Sequence, residues 1–211
     1  DRSKGGAVLL TATIKPLEAR EIDTALQGSG VHLIDSPVSG GFPRAQNGTL
    51  TMMAAATSDV LDKYASIMES VSSTIHRVGT HAGEGQVMKS CLQTLIGSIF
   101  GATFEAAALA AKAGVSGQAL YDVFSTSGAG CGVANVALEN IIDRKFEGTG
   151  SGIGTMHKDL TISLNMAEEL GVPLLMASTA MQIFHQGKSK YPEGDNWVCL
   201  LYTSDAADDP T

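Results

Sequence analysis

The sequence predicts an α/β domain with a mostly parallel sheet, followed by an all-α domain built on one long helix. Three observations carry this. Strand-like and helix-like segments alternate from residue 7 to residue 80, the pattern of a sheet covered by helices. No strand pattern recurs from Gly85 onward. Gly85 to Ala113 is a single alanine-rich stretch of helical character. The switch near residue 82 sets the boundaries: 1–81 for the α/β part, 82–198 for the all-α part, and 199–211 for a tail.

The elements follow in order. Ala7 to Thr13 reads as a buried strand. Pro16 suits a first helical turn, where a missing N–H is no loss, and Leu17 to Gly28 follows as a helix. Val31 to Asp35 is a strand, Thr49 to Ala54 another, Ser58 to Ser70 a helix, and Thr74 to Val78 a strand. After the long helix, shorter ones are expected at Gly117–Ser125, Val133–Asp143, Thr155–Leu170 and Pro173–Gly187.

Composition bounds the function. Hydrophobic residues are 44% of the 211, enough for a real core, and no apolar run reads as long enough to span a membrane. The formal net charge is −8, and −5 without Asp205, Asp208 and Asp209 of the tail. A mildly acidic chain argues against a nucleic-acid surface. Cys91 and Cys131 show neither metal spacing nor a disulfide framework, which fits a reducing compartment. The five histidines do not cluster, and no metal site is expected.

Two segments point to chemistry. In Asp35-Ser36-Pro37-Val38-Ser39-Gly40-Gly41, two glycines after a serine let backbone approach a ligand. Successive N–H groups in such a turn form a nest for a carboxylate or phosphate. A tight loop that merely reverses the chain is the plainer alternative. Its place after a strand favours a ligand, because open α/β sheets bind beyond their strands' carboxyl ends. The second segment is Gly83-Glu84-Gly85 with Lys89. Lys89, Gln93, Gly97 and Gly101 recur every four residues along one stripe of the long helix. Glycine in a helix costs roughly 1 kcal/mol against alanine, so close approach of a ligand or second helix is expected there. Arg44 reads equally as a second substrate contact or a surface arginine. Ser127 reads as a turn serine. Gly148, Gly150, Gly152 and Gly154 match neither dinucleotide nor P-loop spacing and read as a flexible loop.

These motifs together resemble the β-hydroxyacid dehydrogenase family, which includes 3-hydroxyisobutyrate, tartronate-semialdehyde and L-threonate dehydrogenases. The family's substrate motif stands here as Asp35, Pro37, Val38, Ser39, Gly40, Gly41, Ala45, Gly48, Thr49, Leu50 and Met52. Its catalytic Gly-x-Gly-x-x-x-Lys is Gly83, Gly85 and Lys89, and its later Lys-Asp-Leu is Lys158-Asp159-Leu160. The resemblance implies part of a Rossmann-like domain followed by a helical domain. It implies hydride transfer between NAD or NADP and a small 2- or 3-hydroxycarboxylate, with Lys89 as acid/base. Ser39, Gly40, Gly41, Gln93 and Arg44 would bind substrate, and Lys158 and Thr13 would contact cofactor. Asp159 is expected to cap or pair locally. Gln93 stands where many relatives carry Asn, and Leu92 replaces a polar residue. Gln93 and Arg44 favour sugar acids like L-threonate. A cytoplasmic homodimer or higher homo-oligomer follows by the same resemblance. Imine reductases share the architecture but usually lack the lysine. A non-catalytic binding protein on the same fold is the other alternative.

Both ends stand apart. The sequence lacks an initial Met, its first strand begins almost at once, and no Gly-x-Gly-x-x-Gly fingerprint is present. A fragment lacking its first half-domain is expected. From Cys199 to Asp209 the residues follow, one by one, the translation of a common sequencing-library adaptor. The tail is therefore expected to be non-native and to pack on nothing.

Overall fold

The computed structural model describes residues 5–203. The chain divides into two compact units, the first ending at Leu92 and the second beginning at Gln93.

In the first unit, β1 (Gly6–Leu10) and β2 (Val31–Asp35) pair in parallel, joined by α1 (Pro16–Leu26). The first strand stops short of Thr13. Beyond Leu10 the backbone is held by a side chain rather than a ladder: the Gln86 amide accepts from Ile14 N at 3.1 Å and donates to Ala12 O at 3.1 Å. Then come β3 (Val38–Ser39), α2 (Gly41–Gln46) and β4 (Leu50–Ala55). Asp35 lies opposite Ala55, Val38 opposite Met52 and Ser39 opposite Thr51, all antiparallel. The three pairs keep one register, so β2 and β3 form a single run bent at Ser36-Pro37. The sheet is therefore mixed: parallel along β1–β2 and β4–β5, and antiparallel at the short stretches where β4 meets β2 and β3. Parallel neighbours need a long crossover, and the return from Asp35 to Leu50 contains only the short α2.

The helix expected over Ser58–Ser70 is two, α3 (Ser58–Lys63) and α4 (Ala65–Glu69), because Tyr64 leaves helical geometry at φ −108°. The strand β5 (Ser72–Gly79) then pairs in parallel with β4. Ile34, Met52, Ala54, Val60, Leu61 and Met68 form the core of this unit.

The long helix α5 (Glu84–Lys112) belongs to both units. The division into compact units falls inside it, after Leu92, and its first turn is tied to the sheet. A Cβ added at Gly85 would lie 2.7 Å from Asp35 O and 2.8 Å from Met53 O, too close for any side chain. By length and composition α5 is also long and apolar enough to cross a membrane, contrary to expectation. One face of it packs into the core, with Phe100, Phe104 and Ala107 buried, while Met88, Leu95 and Leu109 are exposed.

The second unit continues with α6 (Gly117–Thr126), α7 (Gly132–Ile142), α8 (Ile153–Leu170), α9 (Leu175–Lys190) and α10 (Val198–Thr203). Ser116 Oγ caps α6 by accepting from Ala119 N, and Gly171, at φ 67°, ends α8. Phe100 stacks on Phe104 and meets Trp197 edge-on, ring centroids 5.3 Å apart. Phe184 closes the cluster. Of the two stripe glycines, Gly97 has the expected role: a Cβ there would come within 2.9 Å of Leu160. At Gly101 the contacts would be ordinary.

The tail expectation fails for its first residues. Cys199 is fully buried, its thiol pushed up to about 12 by burial. A Cβ at Gly187 would lie 2.8 Å from its Sγ, and Leu200 packs on the same cluster. Apolar side chains that follow Trp197 directly are within reach of an apolar surface, and burial is favourable for any of them. Positions 204–211 lie outside the described residues.

Candidate active site

The first unit holds Ser39, Gly40, Gly41, Arg44, Thr13 and Lys89. Ser39 ends β3, and the chain then turns through two left-handed glycines, Gly40 at φ 129° and Gly41 at φ 64°. An L side chain is strained in that region. At Gly40 space also forbids one: a Cβ would lie 2.5 Å from Arg44 Cδ. The Arg44 stem therefore folds back over Gly40. The structure brings Arg44 beside the glycine turn while leaving the residue exposed.

The motif aspartate serves the helix. Asp35 is fully buried and accepts from Gly83 N at 2.8 Å, Gln86 N at 3.3 Å and Gln86 Nε2 at 2.7 Å. A carboxylate at a helix N-terminus meets unsatisfied N–H groups and the positive end of the dipole. Burial nevertheless dominates and raises its pKa above the ordinary carboxylate value, against the pull of these hydrogen bonds. Gly83, at φ 93°, could carry no Cβ without meeting Pro16 O at 2.9 Å. Gly83 and Gly85 thus seat the first turn of α5 against the end of β2. Lys89 follows one helical turn later and is 6% exposed.

Gln86 was missed by sequence reasoning. Its amide joins Asp35, Ala12 and Ile14, so it fixes the loop that carries Thr13. A polar side chain three residues before Lys89, on the same helix face, was the available signal.

In the second unit the structure joins Gln93, Asp159 and Lys158. Gln93 Nε2 donates to Asp159 Oδ2 at 2.7 Å, and Lys158 Nζ lies 2.7 Å from Asp159 Oδ1. Asp159 is 2% exposed. It does pair locally, as expected, but also reaches across from α8 to α5. Gln93 thus has its amide nitrogen engaged and its carbonyl oxygen outside that pair.

The glycine-rich loop is not free. Asp195 Oδ2 accepts from Thr149 N at 2.6 Å and Thr149 Oγ1 at 2.7 Å. Trp197 Nε1 donates to Thr149 Oγ1, and Asn196 Nδ2 to Ser151 Oγ. A carboxylate of the protein occupies the donors that a phosphate would need. Ser127 is a turn serine: its Oγ donates to Phe124 O and accepts from Ala129 N. Among the described residues no metal-binding group of three side chains exists.

A family profile described as the NAD-binding domain of NADP-dependent 3-hydroxyisobutyrate dehydrogenase matches residues 83–200, more than half of the chain. The chain belongs to the β-hydroxyacid dehydrogenase family. A profile for the NAD-binding domain of 6-phosphogluconate dehydrogenase matches residues 2–79. An L-threonate dehydrogenase of Escherichia coli O6:H1 is 34% identical over 180 residues, 85% of this chain and 59% of that protein. A 2-(hydroxymethyl)glutarate dehydrogenase of Eubacterium barkeri is 28% identical, over 88% of this chain and 61% of that protein. The crystal structure of 3-hydroxyisobutyrate dehydrogenase from Salmonella typhimurium superimposes with a TM-score of 0.87 at 29% identity, covering 93% of this chain and 69% of that one. The chain spans about three-fifths of the length of the curated relatives it matches.

Proposed function

We propose that the whole protein is an NAD(P)-dependent dehydrogenase of small hydroxycarboxylates, with sugar acids of the L-threonate class as substrates. The observation that carries this is Lys89: a lysine 6% exposed, on a helix whose first turn is fixed by Asp35, Gln86 and two glycines that admit no Cβ. Such rigidity suits a group that must meet a proton at one point. A solvated surface lysine needs none of it.

The nicotinamide, when bound, accepts or returns the hydride. The chain's residues do the rest. In oxidation the neutral Lys89 amine takes the hydroxyl proton as the carbinol C–H leaves as hydride and the C=O bond forms. In reduction Lys89 ammonium returns the proton to the carbonyl oxygen. Ser39 and the N–H groups of Gly40 and Gly41 hold the substrate carboxylate. Arg44, its stem across Gly40, reaches a further hydroxyl. Gln93 offers its amide oxygen to the substrate or to Lys89. Thr13 and Lys158 fit the cofactor side: the hydroxyl sits in a loop clamped by Gln86, and the ammonium suits an anionic dinucleotide. Free Cys91 and Cys131 fit a reducing, cytoplasmic setting, and a homo-oligomer is part of the same proposal.

The test uses the full-length enzyme, a panel of hydroxyacids and both cofactors. Turnover of L-threonate is expected. Lys89→Ala is expected to lower kcat by ~10²–10⁴-fold, the usual contribution of a positioned acid/base. Lys89→Arg is expected not to rescue it, since arginine does not release its proton near neutral pH. Near-normal turnover by Lys89→Arg would send the proton elsewhere.

A further inference from the structure

We propose that the all-α unit carries a binding site for a medium-chain carboxylate, built on Arg144 and separate from the residues assigned to hydride transfer. The site is an apolar cavity of ≈ 300 Å³, open to solvent on one side and lined by Ala107, Ala111, Leu120, Phe146 and, from the tail, Leu200 and Leu201, with the exposed Arg144 as the charged residue of its lining. That size is at the lower end for small-ligand sites, which combine apolar walls with a few placed polar groups.

Arg144 is the unusual member. Its φ is 52°, and it is the one non-glycine residue at positive φ among the described residues. It stands just past the end of α7, where Arg144 N donates to Ile141 O and Lys145 N to Asn140 O. These two bonds define a helix stop whose left-handed position ordinarily goes to glycine. Arginine there is strained, and strain of this kind marks positions held for a purpose. The packing shows what the side chain does. The Arg144 guanidinium lies 5.7 Å from the centroid of the Phe146 ring, at the cavity wall. The neighbouring Asp143 is taken by Lys145 at 2.8 Å, and among the described residues no carboxylate pairs with Arg144. Alanines on α5 leave the room that larger residues would fill. An apolar chain in the cavity with its carboxylate on Arg144 satisfies both halves of the site. A guanidinium presents a donor fork matched to a carboxylate, and an amine would be repelled.

Isothermal titration of the chain with octanoate, octylamine and octanol at neutral pH tests this. Octanoate is expected to bind more tightly than octanol, and octylamine not to bind. Arg144→Gly is expected to keep or raise Tm, because it relieves the strain, yet to weaken octanoate at least fivefold. Ala111→Trp, which fills the cavity, is expected to remove binding. Ser39→Ala is expected to leave it intact. The proposal is overturned if octanoate does not bind, if octylamine or octanol binds as well, or if Arg144→Gly binds within fivefold of the unaltered chain. Loss in Ser39→Ala overturns it too, by assigning octanoate to the glycine turn.

Discussion

Gly85 shows how much a single residue can decide. Two backbone carbonyls, Asp35 O and Met53 O, stand where its Cβ would go. Neither is the mobile end of a side chain, so the helix or the sheet must move to admit even a methyl group. Overpacking typically costs about 1–3 kcal/mol. Gly85→Ala is expected to fall at the upper end, about 3 kcal/mol, lowering Tm by roughly 2–4 °C for each of these in a chain of this size. Thermal unfolding of the variant checks it; an unchanged Tm would mean the first turn of α5 is not clamped. The glycines and Lys89 were legible in the sequence because their spacing is local. The partners were not. That Asp35 caps α5 and Gln86 ties the Thr13 loop depends on contacts between residues 48 to 74 positions apart, and no pattern along the chain encodes them.

At the scale of elements, α8 and α9 meet through a histidine pair. His157 Nε2 and His185 Nδ1 are 3.2 Å apart, their ring centroids 5.5 Å apart. One ring nitrogen must donate and the other accept, which a doubly protonated pair cannot do. Burial, then the nearby Lys188 and His185, lowers the pKa of His157. A histidine depressed in the folded state binds fewer protons there than when unfolded. Its contribution is complete above the unfolded value of about 6.5 and is lost as pH falls through the lower folded value. Tm measured from pH 8 to pH 5 is expected to decline less steeply in His157→Gln than in the unaltered chain. Parallel curves would show that the pair contributes nothing. The helices themselves were predicted nearly in place, since caps and periodicity are local signals. The break at Tyr64 and the short α2 after the glycine turn were not, because tertiary packing overrides propensity in short segments.

For the molecule as a whole, the first turn of α10 is part of the second unit's core. Cys199 is fully buried and Leu200 packs against the cluster of Phe100, Phe184 and Trp197. Truncation after Val198 is expected to lower Tm by several degrees, since fully burying one large apolar side chain contributes about 1.5–3 kcal/mol. No change in Tm would restore the expectation that these residues pack on nothing. Sequence alone determined the succession of an α/β unit and a helical unit, the family, and the motif residues Ser39, Gly40, Gly41 and Lys89. It could do so because strand and helix periods, glycine spacing and motif order are all written along the chain. Tertiary structure alone decided that the sheet is mixed, that Asp195 holds the glycine-rich loop, that Asp159 joins Gln93 to Lys158, and that Arg144 takes a glycine's place beside an apolar cavity. Each of these depends on which distant residue fills a given space or satisfies a given buried polar group, and that is settled only when the chain has closed on itself.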